Sequence, residues 1–352
     1  MTIPIQNIYF LLCYAWDTLA EGQVVKISDD ECDTPIDLFA RVLEGGVTHL
    51  LKRGMDRTYV TEEIDTSSLR GKLDVSITVK RNLLYQAQAH CVIDSLSYDV
   101  VHNQIIKATL RRLVRFGGLE RKRHDRLMGL YRKLHEISDI EVTAKCFDQV
   151  RLHRNNAFYG FLLQVCRLIH ENLIADQKSG ESQFRDFLRN EKQMASVFER
   201  FVRNFLRREQ TELRVSSENI EWQEVEADEF DRQHLPKMRT DISLGSSSRR
   251  IVIDTKYYQE TLSGYYDKKS IHSGNMYQLF SYVKNLQIME NEGRIVEGML
   301  LYPTVGTSLD LKYRLQGHSI RIATVDLNSD WKSIHNRLLE LIAVEPVKMF
   351  NM

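Results

Sequence analysis

The chain has 352 residues, of which 43% are apolar, and its 48 Lys and Arg balance 48 Asp and Glu, for a formal net charge of zero. Such a length and apolar share exclude a disordered chain and leave room for two packed domains, while the neutral balance excludes a global basic field that holds nucleic acid by itself. The five cysteines, Cys13, Cys32, Cys91, Cys146 and Cys166, are odd in number and widely spaced, which speaks against a zinc site or a disulfide framework and fits a reducing cytoplasm.

In chain order, the apolar run Ile8-Tyr-Phe-Leu-Leu-Cys13 lacks a basic leader and is broken by Asp17, so it reads as a buried helix over 4–19 and not as a signal peptide. A second helix is expected over 35–53, strands over 58–64 and 72–78, and a helical pair over 103–116 and 120–135. That pair carries Arg111, Arg112, Arg115, Arg121, Lys122, Arg123, Arg126, Arg132 and Lys133. Runs of this kind are more often solvated faces than surfaces for phosphate or a partner, and both readings stand. A long apolar helix over 156–176 leads into Gln177-Lys-Ser-Gly-Glu-Ser182, the best candidate linker. The expected division is an α+β domain over 1–155 that docks a partner, a connecting helix and linker over 156–183, and a second domain over 184–352.

The second domain reads as a helix over 191–208, strands near 220–225, 238–244 and 250–256, a helix over 275–287, strands over 297–302 and 318–325, and a helix over 331–344. Helices covering a central mixed sheet place it in the α+β or α/β class. No apolar run is long enough for a bilayer, so no membrane partner is expected. No Gly-x-x-x-x-Gly-Lys followed by Ser or Thr occurs, so nucleotide hydrolysis belongs to another chain.

Within that domain, Asp241-Ile-Ser-Leu and Arg250-Ile-Val-Ile-Asp254 flank Gly245 and three serines, the pattern of a β-hairpin. A turn centred between Ser247 and Ser248 sets Asp241 opposite Asp254, with Cβ atoms ~5 Å apart, where two like charges repel unless a cation compensates them. Alternation puts Val252, Asp254 and Lys256 on one face, with Ile251 and Ile253 turned to the core on the other. Two carboxylates suit Mg2+ or Mn2+, which take oxygen ligands and leave room for substrate phosphate; the carbonyl of Thr255 is a further candidate ligand. An aspartate followed at a distance by Asp-x-Lys is also a loose pattern that chance supplies. Downstream, Asn275, Gln278 and Tyr282 share one helix face, next to the hairpin or as a polar stripe half-buried on the sheet. His272, in the loop before that helix, reads as a surface residue.

Asp241, Asp254-Thr-Lys256 and Gln278-x-x-x-Tyr282 together resemble the PD-(D/E)xK nuclease superfamily, in its branch with a Gln-x-x-x-Tyr helix. More narrowly the chain resembles the McrC family, nuclease subunits of McrBC modification-dependent restriction systems. That resemblance rests on Ile5-Gln-Asn-Ile-Tyr9, Tyr14-Ala-Trp16, Leu69-Arg-Gly71-Lys-Leu-Asp74, Asn103-Gln-Ile-Ile-Lys107, Tyr131-Arg-Lys-Leu134, Arg189-Asn-Glu-Lys192, Leu235-Pro-Lys-Met238, Asp254-Thr-Lys-Tyr-Tyr258 and Leu301-Tyr-Pro303, in order over nearly the whole chain. Thr240 stands where the superfamily label has proline. The resemblance implies a restriction-endonuclease-like fold, Asp241 and Asp254 as metal ligands, and Lys256 as the catalytic lysine. It further implies an McrB-like GTP-hydrolysing AAA+ partner, whose GTPase this chain stimulates, and double-stranded DNA carrying modified cytosine. Members often add an acidic residue from the opening helix, for which Glu199 is the candidate; its other reading is a helix carboxylate paired with Arg203. Two rival functions are a non-catalytic activator of the NTPase and a stand-alone repair nuclease.

Overall fold

The computed structural model describes residues 3–24, 32, 34–153, 156–175, 182–185, 187–258, 272–290, 293–305 and 308–343. They form two compact units, one of Met1–Gln23, Ile27–Leu38 and Asp186–Met352, the other of Val24–Lys26 and Phe39–Arg185. Most of the expected linker, at 177–181, lies outside the described residues. The two-unit division therefore differs from a cut near 155 and 184, because α1 (Ile5–Ala15) belongs with the C-terminal residues. A helix apolar on all sides has to be covered on all sides. Ile8, Leu11, Leu12 and Tyr14 are buried, and Asn7 Nδ2 donates to the carbonyls of Leu327 and Ser329 at 2.8 Å each.

The following helix, α2 (Pro35–Arg53), begins with proline in its first turn, where the missing amide costs nothing, and Thr34 accepts the amide of Asp37. In the inserted unit, β1 (Thr58–Thr66), β2 (Lys72–Leu73) and β3 (Ala89–Ser97) form a sheet in the order β1-β3-β2. The strand expected over 72–78 is cut short. Asp74 accepts the amide of Ile77 at 2.9 Å, and this cap starts α3 (Val75–Lys80) despite its β-branched residues. β3 was not anticipated; its pairing with β1 sets His90 across from Asp65, with 2.7 Å between Nδ1 and Oδ1.

Next come α4 (Val101–Arg115), α5 (Arg121–Lys133) and α6 (Ala157–Asn172), the last of these packed in the same unit as the helical pair. The basic run divides between uses. Arg111 pairs with Asp139 at 3.2 Å, Arg126 with Glu44 at 3.1 Å, Arg112 donates to His170 Nδ1 at 2.7 Å, and Arg123 is buried. Arg115, Arg121, Lys122, Arg132 and Lys133 are exposed. The unit closes with the hairpin of β4 (Leu173–Ala175) and β5 (Ser182–Phe184).

The second half opens on α7 (Glu191–Glu209), capped by Asn190, which buries Phe198, Phe201 and Phe205, each worth roughly 2 kcal/mol of burial. Two of these rings meet α1: Tyr14 lies 6.0 Å from Phe201 and 5.4 Å from Phe205, and Asn204 Nδ2 donates to the Tyr14 carbonyl at 2.9 Å. Then follow β6 (Arg214–Ser216), β7 (Asn219–Ile220), β8 (Met238–Arg239), β9 (Ile242–Gly245) and β10 (Arg249–Thr255). The strand expected over 238–244 breaks at Thr240 and Asp241, so that β8 pairs with β7 and β9 joins the large sheet. Only Asn219–Ile220 of the strand near 220–225 forms.

After α8 (Ser273–Met289) come β11 (Ile295–Thr304), β12 (Asp310–Leu315), β13 (His318–Asp326) and α9 (Trp331–Ile342). The six-stranded sheet runs β12-β13-β11-β10-β9-β6; β10, β11 and β13 are mutually parallel, while β9 and β12 are antiparallel to their neighbours. The parallel step from β10 to β11 passes through α8, as parallel neighbours require. As an inner strand β10 is buried on both faces: Ile251, Val252 and Ile253 are all shielded, with Val252 in one cluster with Leu279, Val283 and Leu300. Apolar cover on the Val252 side was not expected from the hairpin alone. Gly298 allows it, since a Cβ there would stand 2.9 Å from both Val283 Cγ2 and Ile320 Cδ1. Among the described residues no helix is long and apolar enough to cross a membrane, and the five cysteines are free thiols.

Candidate active site

The hairpin holds the register read from the sequence. Arg250 faces Gly245 and Ile253 faces Ile242, so one further step brings Asp254 to Asp241, and Ser246 donates its amide to the Arg249 carbonyl at 2.8 Å to close the turn. Asp241 itself stands just outside the ladder. Thr240 is held aside by its own bonds, its amide donating to the Glu218 carbonyl at 2.9 Å and its hydroxyl accepting the Glu218 amide at 3.0 Å. The Asp241 carboxylate then takes up the ladder's next position: Oδ2 accepts both the amide and the hydroxyl of Thr255 at 2.8 Å. Two donors to one charged oxygen fix it against β10.

Asp254, at the buried end of β10, is 1% exposed. Its Oδ2 lies 3.0 Å from Lys256 Nζ, Nζ donates to Gln278 Oε1 at 3.1 Å, and Gln278 Nε2 donates to the Tyr282 hydroxyl at 2.7 Å. One helical turn of α8 thus reaches the strand end through a continuous relay. Tyr282 is buried in the cluster under β10, so the relay's far end is fixed by packing. Asn275, on the same helix face, turns to other partners: its Nδ2 donates to the hydroxyls of Tyr258 and Tyr302 at 3.1 and 3.2 Å. His272 is exposed and stacks on Tyr258, 5.7 Å between centroids.

Glu199 remains on its own helix. Its Oε1 is 2.7 Å from Arg203 Nη1, which also donates to the Asp241 carbonyl at 3.3 Å. Among the described residues no three His, Cys, Asp or Glu side chains gather as a metal-holding group, so the carboxylates at the strand end are two. Arg203 escaped the sequence reading because its link to Asp241 spans 38 positions; the only local signal was the i,i+4 spacing from Glu199.

Burial pushes the Asp254 carboxyl up to about 6; Lys256 works against this, while the charges of Asp241 and Glu199 add to it. Burial also works against the Lys256 ammonium, but Asp254 and, behind it, Asp241 outweigh it and hold its pKa above the ordinary lysine value. Lys256 is therefore a cation near neutrality. The site combines a desolvated carboxylate, a second carboxylate held by two donors, and one ammonium.

A family model described as "McrBC 5-methylcytosine restriction system component" matches residues 12–303. A relative from Escherichia coli (strain K12), described as "Type IV methyl-directed restriction enzyme EcoKMcrBC", is 32% identical over 339 residues, covering 96% of this chain and 97% of its own. Among solved structures, the assembly of Thermococcus gammatolerans McrB AAA+ hexamers with bound McrC aligns over 97% of this chain and 76% of its counterpart, with a TM-score of 0.62 at 18% identity, which supports the fold. With the family match spanning most of its length, the chain belongs to the McrBC 5-methylcytosine restriction system component family.

Proposed function

We propose that this chain is the DNA endonuclease subunit of a modification-dependent restriction complex and hydrolyses phosphodiester bonds with a divalent cation held by Asp241 and Asp254. The observation that carries this reading is the joined array Asp241, Asp254, Lys256, Gln278 and Tyr282 at one strand end. The donor set fits a hard cation: both side chains offer carboxylate oxygens, with the Thr255 carbonyl as a further oxygen, and the repulsion felt at Asp254 is what a positive ion relieves. Glu199 enters the metal set only if it leaves Arg203. When bound, the ion neutralises charge building on the phosphorus and acidifies a water; Mg2+ and Mn2+ both suit such oxygens.

The remaining work falls to the protein's own groups. Lys256, cationic and turned toward Asp254, orients the attacking water and stabilises the negative charge of the in-line transition state. Gln278 fixes the ammonium by accepting one of its protons, and Tyr282 fixes Gln278 in turn. Thr255 holds the Asp241 carboxylate in one orientation by its two donors.

An McrB-like AAA+ GTPase is the proposed partner, with its GTPase stimulated by this chain and double-stranded DNA bearing modified cytosine as the substrate. The family membership supports this, as does the absence of a phosphate-cradling motif in the sequence. Docking is assigned to the N-terminal part of the chain, residues 1–155, and the complex to the cytoplasm. The intact pair of carboxylates favours a nuclease over a non-catalytic activator.

Cleavage of methylated and unmethylated DNA with Mg2+, with and without the partner NTPase and GTP, tests the reading. Cutting that needs every component and is lost in Asp254→Ala supports it. Unchanged cutting by Asp254→Ala moves the chemistry elsewhere, and cutting by this chain alone points to a stand-alone nuclease.

A further inference from the structure

Arg203 projects from α7 with only 19% of its side chain exposed, and one of its nitrogens, Nη1, serves two acceptors, Glu199 Oε1 and the Asp241 carbonyl. An i,i+4 pair on a free helix is worth only a few tenths of a kcal/mol. Here the arginine is tied to the backbone of a site residue as well, so its guanidinium has a fixed place between α7 and the acidic strand end. The Glu199 carboxylate, two-thirds shielded, is near enough for its charge to be felt at Asp254 and yet does not join Asp241 and Asp254.

We propose that Arg203 is a positioning residue that withholds Glu199 from the acidic pair, so that the strand end takes a divalent cation with two carboxylates instead of three. This rests on the reading of Asp241 and Asp254 as metal ligands. The number of charged oxygen ligands sets how tightly a hard cation is held. A clamp on the third carboxylate keeps the affinity low, and its release raises it. A plain supporting role for Arg203 predicts weaker binding, because loosening the Asp241 backbone weakens the site, and loss of the guanidinium charge by itself predicts a gain that does not depend on Glu199.

The test is Mn2+ binding to the full-length chain, followed by titration calorimetry and by the electron paramagnetic resonance of the unbound ion. Arg203→Ala and Arg203→Gln should each bind Mn2+ about tenfold more tightly than the native chain, as a gained carboxylate ligand requires. Arg203→Gln keeps a donor for the Asp241 carbonyl and serves if the alanine variant fails to fold, which thermal melting shows. Glu199→Gln alone should bind Mn2+ no more tightly than the native chain, because it removes a negative charge felt at Asp254, and adding Arg203→Ala to it should bring no tenfold gain. Equal or weaker binding in both Arg203 variants, or tighter binding that persists in the double variant, overturns the clamp. Native binding that survives in Asp254→Ala overturns the underlying metal reading instead, whatever the sign at Arg203.

Discussion

Thr255 joins the two acidic strand ends, since it follows Asp254 directly and gives both its amide and its hydroxyl to Asp241. Thr255→Val removes only the hydroxyl's share. Cleavage should slow by about tenfold with little change in KM for DNA, because misalignment of a catalytic group acts on the chemical step; Thr255→Ser should restore the rate, and equal rates for the valine and native chains would refute the role. A second residue-scale prediction concerns stability. Burial, with Arg112 beside it, pushes the His170 imidazole from 6.5 down to about 4, so the native state excludes a proton that the unfolded chain accepts. Stability is then fully present above about pH 6.5 and falls as the pH drops toward 4, by up to roughly 3 kcal/mol. Urea denaturation at pH 7 and pH 5 should show a larger loss for the native chain than for His170→Gln; parallel losses would assign the acid sensitivity to other groups. The aspartates, Lys256, Gln278 and Tyr282 were legible in the sequence because hairpin register and helix spacing are local arithmetic. Arg203 and the Asn275 contacts with Tyr258 and Tyr302 were not, since each depends on where separate elements come to rest.

Among the elements, those with long periodicity were legible in the sequence, and those decided by a single residue or a distant partner were not. The helices at 35–53 and 191–208 carry apolar residues at helical spacing over many turns. By contrast, Val75-Ser-Ile-Thr-Val reads as strand by propensity, and one capping aspartate turns it into helix. Asp74→Ala should cost about 1 kcal/mol by loss of that cap, visible as a lower denaturation midpoint, with Asp74→Asn recovering most of it. β12 went unread because Asp310-Leu-Lys-Tyr-Arg-Leu is a mostly polar edge strand whose pairing with β13 supplies its order. The contact of α8 with β11 can be tested at Gly298. Gly298→Ala pushes a methyl group into Val283 and Ile320 and should cost about 1–3 kcal/mol by overpacking. Since α8 carries Gln278, the variant should also lose activity at temperatures where the native chain keeps it; unchanged stability would mean that the helix and sheet yield freely.

At the scale of the whole molecule, the chain leaves one unit after α1, builds the other from residues 39–185, and returns. Composition gives no sign of this, because an apolar helix at 5–15 suits either unit; only its partners, among them Phe201, Phe205 and Trp331, assign it. A fragment of residues 186–352 would lose Tyr14 and Phe10 from the faces of Phe201, Phe205 and Trp331. It should show weak near-ultraviolet circular dichroism and red-shifted Trp331 emission, and it should bind Mn2+ poorly; cooperative melting at the full chain's temperature would show that α1 is dispensable. The same interleaving orders events at the ribosome. The inserted unit has all its residues from 39 onward out of the exit tunnel first and folds first. The unit carrying Asp254 waits for Trp331, against which Phe10 stacks 4.7 Å away, and for Leu327 and Ser329, whose carbonyls Asn7 holds. The acidic strand end is therefore synthesised well before the residues that complete the packing of its own unit.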